Sequence, residues 1–348
     1  AVQGECNFLI LDEPTAPLST AETERLFQMV EHLRKTEDIA IVFISHRLQE
    51  VKHICNSITI MRNGKVVENG PLNPERSINS IVTQMLGRSF DENFPKVQTQ
   101  IGDVAFEVKD LYDMDGMVNG VSLYARAGEI VGISGLVGAG KTELSKTIFG
   151  DRRIKSGSVL LRGKDLKIGS PTDAVRSGIG LVPEERRKEG VLVDEPVAFN
   201  LVAASLSKYS NGIWLSKKKQ LANADRFITS MGIKTPSPMQ KVANLSGGNQ
   251  QKVVVGKWLA ADCDVYIFDE PTKGVDVGAK TDIFRLIGEI AAAGKCALYI
   301  SSETEEILSI TDRVYVMFDG KVTAELETAK TNEDEIMFYS TGGQKNNE

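Results

Sequence analysis

The sequence predicts an α/β fold with a mainly parallel sheet, present as a tandem repeat whose first copy is incomplete. Three observations lead to this prediction. Apolar β-branched runs alternate with helical patterns, one such run passes through a glycine-rich loop into a helix, and segments near the start of the chain recur near its end. With 348 residues, the chain is long enough for two domains or more.

The repeat consists of three early segments that recur in the same order near the end of the chain. The matching pairs are "FLILDEPTAPLST" (8–20) with "VYIFDEPTKGVDV" (265–277), "IAIVFISHRLQEV" (39–51) with "CALYISSETEEIL" (296–308), and "ITIMRNGKVV" (58–67) with "VYVMFDGKVT" (314–323). A long stretch from about residue 104 precedes the second DEPT, whereas the first DEPT is close to residue 1. We therefore predict an N-terminally truncated fragment that lacks about 150 residues of its first domain.

Local patterns predict the elements of the first copy. Helical spacing of apolar residues predicts a helix over 21–35, and β-branched runs predict strands at 39–45 and 58–61. A turn at 62–65 and a closing helix over 77–88 follow.

The same reading divides the chain into domains. Residues 89–103 are polar and contain a proline, which is typical of a linker. Trp214 and Trp258 lie in helical patterns and are expected to be packing residues. The predicted parts are the end of a first domain at 1–88, the linker at 89–103, a complete second domain at 104–340 with a helical subdomain at about 191–250, and a tail at 341–348.

Composition argues against several classes of partner. The net charge of −6 and an aromatic content of 6% argue against binding to nucleic acid or to an anionic membrane surface. No apolar stretch reaches the roughly 18–20 residues that span a bilayer. The four cysteines lie far apart and predict reduced thiols.

The segment "GEIVGISGLVGAGKTEL" (128–144) has the Walker A pattern of a phosphate-binding loop. An apolar strand leads into the glycines, and helix formers follow them. The glycines let backbone N–H groups face phosphates, the lysine neutralises the β- and γ-oxygens, and the threonine hydroxyl binds Mg²⁺. The candidate nucleotide-binding residues are Gly135, Gly138, Ala139, Gly140, Lys141, Thr142 and Glu143.

The two DEPT segments have the Walker B pattern, in which carboxylates follow a buried strand. Asp269 is expected to hold Mg²⁺, and Glu270 is expected to polarise the attacking water as general base. In the first copy Asp12 and Glu13 take the metal-binding and catalytic positions. The phosphate-binding loop that would complete that site is predicted to lie in the absent segment.

A third motif, "LSGGNQQKV" (245–253), identifies the family. Its glycines open a helix predicted to run from Gln250 to Leu259 and form an anion site at the helix N-terminus. With Walker A and DEPT, the motif resembles the signature of ABC transporter ATPases. "SGLVGAGKTEL" and "DEPTKGVDVGAK" are similar to the second half of the tandem ATPases of ribose, galactose and xylose importers. The first-copy segments fit the same family, so the resemblance covers nearly the whole chain. The signature residues, which the resemblance implies contact the nucleotide, are Ser246, Gly247, Gly248 and Gln250.

This resemblance implies a P-loop NTPase core with an antiparallel β subdomain and a helical subdomain. It also implies ATP and Mg²⁺ as ligands, with each nucleotide sandwiched between the tandem domains or in a homodimer. Tyr112 takes the position of an adenine-stacking aromatic, and Asp276 takes that of the D-loop aspartate, where the first copy has Ser19. His46 takes the switch-histidine position, where the second copy has Ser302.

The two copies differ at the catalytic positions. Besides Ser302, the second copy has Glu184 where the family usually has a glutamine, with Glu185 as the rival assignment. A carboxylate there cannot donate a hydrogen bond and adds negative charge beside the γ-phosphate. We therefore hypothesise that the site with Glu13 hydrolyses ATP faster, while the Lys141 site mainly holds it. In the complete protein, a Glu13→Gln variant should then lose turnover, whereas Glu270→Gln should keep much of it.

As the resemblance implies, the chain is an ATPase subunit that energises sugar import from the cytoplasmic face of the membrane. Its partners would be a dimer of permease subunits and, indirectly, a periplasmic or lipid-anchored sugar-binding protein. The isolated fragment is expected to bind ATP and to turn it over poorly. Two alternatives remain open: an importer ATPase for nucleosides or other small polar solutes, and a soluble tandem ATPase that acts on ribosomes or DNA.

Overall fold

The computed structural model describes residues 7–15, 18, 20–37, 39–45, 48–62, 64–86, 97–212 and 214–343. The chain forms two compact units, unit 1 with residues 1–93 and 276–278, and unit 2 with residues 94–275 and 279–348. Residues 87–96, which include most of the predicted linker, lie outside the described residues. The domain boundaries predicted from the sequence stay predictions.

The described residues of unit 1 form two small sheets and three helices. Strands β1 and β2 pair in parallel, and β3 and β4 form an antiparallel hairpin with a bulge between Ile60 and Met61. The elements are β1 (Phe8–Asp12), α1 (Thr20–Thr36), β2 (Ala40–Ile44), α2 (Leu48–Ile54), β3 (Ser57–Arg62), β4 (Lys65–Pro71) and α3 (Ile78–Leu86).

Unit 2 is built on a six-stranded sheet and a four-stranded antiparallel sheet. Its strands are β5 (Val104–Asp113), β6 (Asn119–Arg126), β7 (Ile130–Ser134), β8 (Ile154–Leu161), β9 (Lys164–Asp165), β10 (Ile179–Val182), β11 (Ser210–Asn211), β12 (Trp214–Leu215), β13 (Val265–Asp269), β14 (Cys296–Ile300), β15 (Arg313–Phe318) and β16 (Lys321–Glu327). The large sheet has the order β10-β13-β14-β7-β15-β16, parallel except for β16. The small sheet has the order β6-β5-β8-β9, and β11 pairs with β12. These sheets confirm the predicted α/β class.

The helices of unit 2 pack around the large sheet, and two of them lie in the segment 191–244 before the signature motif. They are α4 (Lys141–Ile148), α5 (Pro171–Arg176), α6 (Val197–Asn200), α7 (Lys217–Ser230), α8 (Gly247–Ala261), α9 (Val277–Ala292), α10 (Thr304–Ile310) and α11 (Glu333–Ser340). A π-helix at Arg186–Gly190 and 3₁₀ turns at Ala203–Tyr209, Val242–Asn244 and Thr328–Lys330 complete the unit. Helix α8 begins three residues earlier than predicted. Trp258 is buried as expected, but Trp214 lies in the β11–β12 hairpin and is 76% exposed, so the helical prediction there was wrong.

The central strands of unit 2 are buried along their whole length, which fits strands covered on both faces. Strands β7, β10, β13 and β14 have no exposed residue. Parallel strands of one sheet end at the same edge. The loops after β7 and β13 therefore meet at the carboxyl edge of the sheet, where ligands of open α/β sheets bind.

The corresponding strands of unit 1 are far less buried. Only alternate residues of β1 and β2 are partly covered, and Phe8, Ile10, Val42 and Ile44 are exposed. A cavity of about 1110 Å³ lies between β2, β3 and the helices of the unit. In unit 2 the matching strands β14 and β15 both pair with β7, so the cavity lies where the second copy has its phosphate-loop strand.

We expect unit 1 to open at lower free energy than unit 2, because it buries a much smaller apolar cluster. In native-state hydrogen exchange, the amides of β1 and β2 should be roughly 10–100-fold less protected than those of β13 and β14. Equal protection of the two strand pairs would show that unit 1 is held together by contacts beyond its own small core.

Candidate functional site

The loop between β7 and α4 can be formed only by glycine at two positions. Gly135 has φ +148°, and a Cβ there would lie 2.4 Å from the Met317 carbonyl oxygen. Gly140 has φ +95°, and a Cβ there would lie 2.6 Å from the Met117 carbonyl oxygen. The backbone thus curls as a phosphate-binding loop requires.

The remaining loop residues follow this path. Gly138 also has a positive φ, of +84°, and open space at its Cα. Ala139 is buried, and its carbonyl oxygen accepts a hydrogen bond from the Gly320 N–H at 3.0 Å. Glu143 is half-buried in the first turn of α4.

Lys141 arches back over the loop that precedes it. Its Nζ donates to the carbonyl oxygens of Gly135 at 2.5 Å and Leu136 at 3.0 Å, and the residue is 6% exposed. Burial lowers its pKa, and the charges of Glu270, Asp269 and Glu184 oppose this shift. A buried cation therefore lies within electrostatic reach of several carboxylates.

Asp269 ends β13 and contacts α4 directly. Its carboxylate accepts hydrogen bonds from the Thr142 hydroxyl at 3.2 Å and from the Ser145 hydroxyl at 2.9 Å. Burial raises its pKa to about 6, although the bonds from Ser145 and Thr142 oppose the rise. Hydroxyl and carboxylate oxygens are ligands that suit Mg²⁺, so the predicted pair Thr142 and Asp269 fits that ion.

Glu270 has an unusual backbone conformation that directs its side chain. Its φ is +46°, its N–H donates to the Ile300 carbonyl oxygen at 3.0 Å, and its Oε1 accepts from the Ser302 N–H at 2.7 Å. Burial raises its pKa to about 7, with the Ser302 hydrogen bond opposing. A carboxylate of that pKa is suited to accept a proton near neutral pH. Ser302 contributes its backbone N–H here, and its side chain is exposed.

Glu184 and Glu185, the two candidates for the position where the family usually has a glutamine, have different surroundings. Glu184 is paired with Lys273, with Nζ and Oε1 2.5 Å apart, and is one of the carboxylates that act on Lys141 and Asp269. Glu185 is paired with Lys188 and is exposed. Of these two glutamates, Glu184 is therefore the better candidate for the position beside the phosphate loop.

The signature loop is held by polar contacts at the start of α8. Ser246 is exposed at the N-cap, and its Oγ accepts from Asn249 Nδ2 at 2.8 Å, while Gly247 and Gly248 form the first turn. Gln250 is buried, and its Nε2 donates to the carbonyl oxygens of Val242 and Leu245. Gln250 thus holds the loop from inside, which corrects the expectation that it would face the nucleotide.

Tyr112 is a further candidate of unit 2, whereas Asp276 belongs to unit 1. Tyr112 lies at the irregular end of β5, and 40% of the residue is exposed. Its hydroxyl lies against Gly120, where a Cβ would approach it to 2.7 Å. Its ring is thus available on the small antiparallel sheet, beside the loop 114–118. Asp276 precedes α9 and is exposed.

Unit 1 repeats the backbone geometry of the second Walker B segment. Glu13 has φ +44°, and its N–H donates to the Ile44 carbonyl oxygen at 2.9 Å, as Glu270 does to Ile300. Asp12 pairs with Ile44 in the β1–β2 register, as Asp269 pairs with Ile300. Asp12 is exposed, however, whereas Asp269 is buried. His46 and Ser19 lie outside the described residues.

Sequence reasoning missed four residues of the site, namely Ser145, Arg186, Lys273 and Glu306. Glu306 is buried and accepts hydrogen bonds from Thr272 of DEPT, from Tyr299 and from Ser301. The repeat contained a signal for it, because Glu50 occupies the matching position and accepts from Thr15 at 2.7 Å. Arg186 donates to the carbonyl oxygens of Lys273 and Gly274.

Comparison with known proteins gives consistent matches. A family model described as ABC transporter matches residues 118–273. An import ATP-binding protein of Rhizobium etli, named for ribose, galactose and methyl galactoside, is 43% identical over 99% of this chain and 65% of its own length. The ribose import ATP-binding protein of Clostridium perfringens strain 13 is 41% identical over 98% of this chain and 68% of its own length. The chain thus spans about two thirds of the length of these curated relatives.

Solved structures agree on the fold. A nucleotide-free ATP-binding cassette from an ABC transporter has a TM-score of 0.58 at 24% identity, over 68% of this chain and 94% of that chain. A dimeric ATP-binding cassette bound to ADP and phosphate has a TM-score of 0.55 at 20% identity, over 64% of this chain and 98% of that chain. Within the described residues, no helix combines the length and apolar character needed to cross a membrane.

Proposed function

The chain belongs to the ATP-binding proteins of the ABC transporter family, and on this premise we propose that it binds and hydrolyses ATP to energise sugar import through a separate membrane permease. One observation carries the enzymatic part of this proposal. Lys141, Thr142, Asp269 and Glu270 lie together at the carboxyl ends of β7 and β13, on a loop path that only glycine permits. The sugar specificity is inferred from the relatives alone.

In the proposed reaction each residue has a separate task. The curled loop offers backbone N–H groups to the phosphates, and Lys141 exchanges its carbonyl partners for β- and γ-oxygens. Mg²⁺, when bound, neutralises phosphate charge, and Thr142 and Asp269 are the residues that would hold it. Glu270 orients a water molecule for in-line attack on the γ-phosphorus and accepts its proton, while the bond to the ADP oxygen breaks.

The two copies are proposed to work unequally. Ser302 replaces the histidine of the first copy, and Glu184 adds negative charge near the γ-phosphate of the Lys141 site. The site built around Glu13 and His46 would therefore be the faster one, and the Lys141 site would mainly hold ATP. The signature loop of unit 2 would cap the nucleotide of a partner domain, either in a tandem protein or in a homodimer.

The transport part of the proposal names partners. A dimer of permease subunits would bind the ATPase at the cytoplasmic face of the membrane, with a sugar-binding protein on the other side acting indirectly. Co-purification with a membrane permease would support this part. Association with ribosomes or DNA in place of a permease would favour the soluble tandem ATPase.

ATP binding by the chain as it exists tests the enzymatic part. Calorimetry should detect Mg-ATP, and Lys141→Met should weaken binding about tenfold to 100-fold, because a buried charge-assisted contact to phosphate is lost. Lys330→Met is the matched control, since Lys330 is exposed and pairs with Glu327 at the surface. Unchanged affinity in the Lys141 variant would refute a nucleotide site at this loop.

A further inference from the structure

Two loops of the candidate site are joined by reciprocal contacts. The first loop, residues 184–190, follows β10, and the second, residues 271–275, follows β13. The Lys273 ammonium pairs with the Glu184 carboxylate at 2.5 Å. In return, the Arg186 guanidinium donates to the carbonyl oxygens of Lys273 at 2.8 Å and Gly274 at 3.1 Å.

These contacts determine the position of the Lys273 ammonium group. Arg186 is partly buried and binds the carbonyl of Lys273 itself, so the backbone from which the ammonium projects is held. The side chain of Lys273 remains 62% exposed and that of Glu184 30% exposed. Such an accessible ion pair contributes little to folding stability, usually about 0–1 kcal/mol.

The pair lies beside the phosphate-binding residues. Burial lowers the pKa of Lys141, and Glu184 is one of four carboxylates whose charges counteract this. The pKa of Asp269 is raised by burial, and Glu184 raises it further. A triphosphate at this loop would therefore face Asp269, Glu270 and an additional carboxylate, Glu184.

The lysine is specific to the second copy. The segment "DEPTK" of the second copy matches "DEPTA" of the first, so Lys273 corresponds to Ala16. Lys273 therefore occurs in the same site as Glu184, the carboxylate that this site holds in addition to Asp269 and Glu270. An ammonium group 2.5 Å from a carboxylate cancels most of its field at longer range, because the two charges then act as a dipole.

We propose that Lys273 is a positioning residue that compensates the charge of Glu184, so that a nucleoside triphosphate can bind beside an acidic side chain. This inference rests on the proposed ATP site at Lys141 and extends it. Lys273 acts through Glu184 and does not bind phosphate itself. The compensation matters most for the γ-phosphate, the part of the nucleotide that adds negative charge on the Glu184 side.

A double-mutant cycle tests this role. Mg-ATP and Mg-ADP affinities are measured by calorimetry for the unaltered chain, Lys273→Ala, Glu184→Gln and the double variant. We expect Lys273→Ala to weaken Mg-ATP binding about tenfold when Glu184 is present and less than twofold in the Glu184→Gln background, a coupling of about 1–1.4 kcal/mol. Mg-ADP affinity should change less than threefold, and the melting temperature should stay within about 2 °C.

Controls separate this inference from the proposed function. Lys188→Ala removes a neighbouring lysine whose partner is Glu185, and it should leave Mg-ATP affinity unchanged. If Lys273→Ala weakens binding equally in both backgrounds, Lys273 contacts the nucleotide directly and the inference is wrong. If it strengthens binding, the ion pair competes with the nucleotide, and the inference is also wrong. A Lys141→Met variant that binds normally would instead overturn the proposed function.

Discussion

Replacement of Glu270 by glutamine is expected to lower ATP hydrolysis at the Lys141 site by about 10²–10³-fold and to leave Mg-ATP affinity within about threefold. Glutamine keeps the size of the side chain, and its carbonyl oxygen can still accept the Ser302 N–H that now bonds Oε1. What it loses is the ability to take a proton from water, which a carboxylate with a pKa of about 7 has near neutrality.

The measurement must detect slow turnover, because this site is proposed to hydrolyse slowly. Single-turnover assays with excess chain and trace γ-labelled ATP meet that need, with binding measured separately. Glu305→Gln is the matched control, since Glu305 is an exposed glutamate at the start of α10. Unchanged hydrolysis in Glu270→Gln would assign the base elsewhere. A large loss of affinity would instead mean that Glu270 shapes the nucleotide pocket.

Local signals in the sequence were sufficient for the framework of the site. The glycines of the phosphate loop, the strand before them and the two DEPT segments follow patterns of adjacent residues, and the sheet order brings them together by topology. Even the positive φ of Glu13 and Glu270 is shared by the two copies. Motifs encode backbone paths because each depends on a few consecutive residues.

Contacts between distant loops were not predictable in the same way. The Lys273–Glu184 pair joins residues 89 positions apart, and Ser145 bonds to Asp269 across 124 positions. Neither pair has a local signature, because each depends on how two loops lie against one another. The assignment of Gln250 to the nucleotide site was wrong for a related reason. The motif gives the position of this residue in the chain, but it does not show whether the amide faces the nucleotide or the interior of the signature loop.

Comparison of the two copies could have identified one of the contacts that lack a local signature. Glu306 and Glu50 both accept hydrogen bonds from the threonine of their own DEPT segment, so internal comparison could have singled them out. The Trp214 error has a different origin. Strands β11 and β12 have two residues each, which is too short for an alternating pattern to be recognised. The helical spacing of α7 was therefore extended backwards over Trp214.

The largest effect on stability is expected at Arg313, which links the two sheets of unit 2. Its guanidinium, 8% exposed, bonds both oxygens of the buried Glu129 carboxylate and the Tyr124 carbonyl oxygen, and it lies 3.9 Å from the centre of the Tyr124 ring. It also contacts the Tyr315 hydroxyl and the Glu325 carboxylate. Because Tyr124 belongs to β6 and Arg313 to β15, these bonds tie the antiparallel sheet to the nucleotide-binding sheet.

Arg313→Met should therefore lower the free energy of unfolding of unit 2 by about 3–5 kcal/mol, because it leaves the Glu129 charge buried without its partner. Urea unfolding followed by near-ultraviolet circular dichroism measures this loss. Arg162→Met is the matched control: the Arg162–Asp264 pair is exposed, and its removal should cost less than about 1 kcal/mol. The combined Arg313→Met and Glu129→Leu replacement should regain much of the stability, since no buried charge is then left unpaired. A double variant as unstable as Arg313→Met would mean that stacking on Tyr124, and not charge pairing, holds the two sheets together.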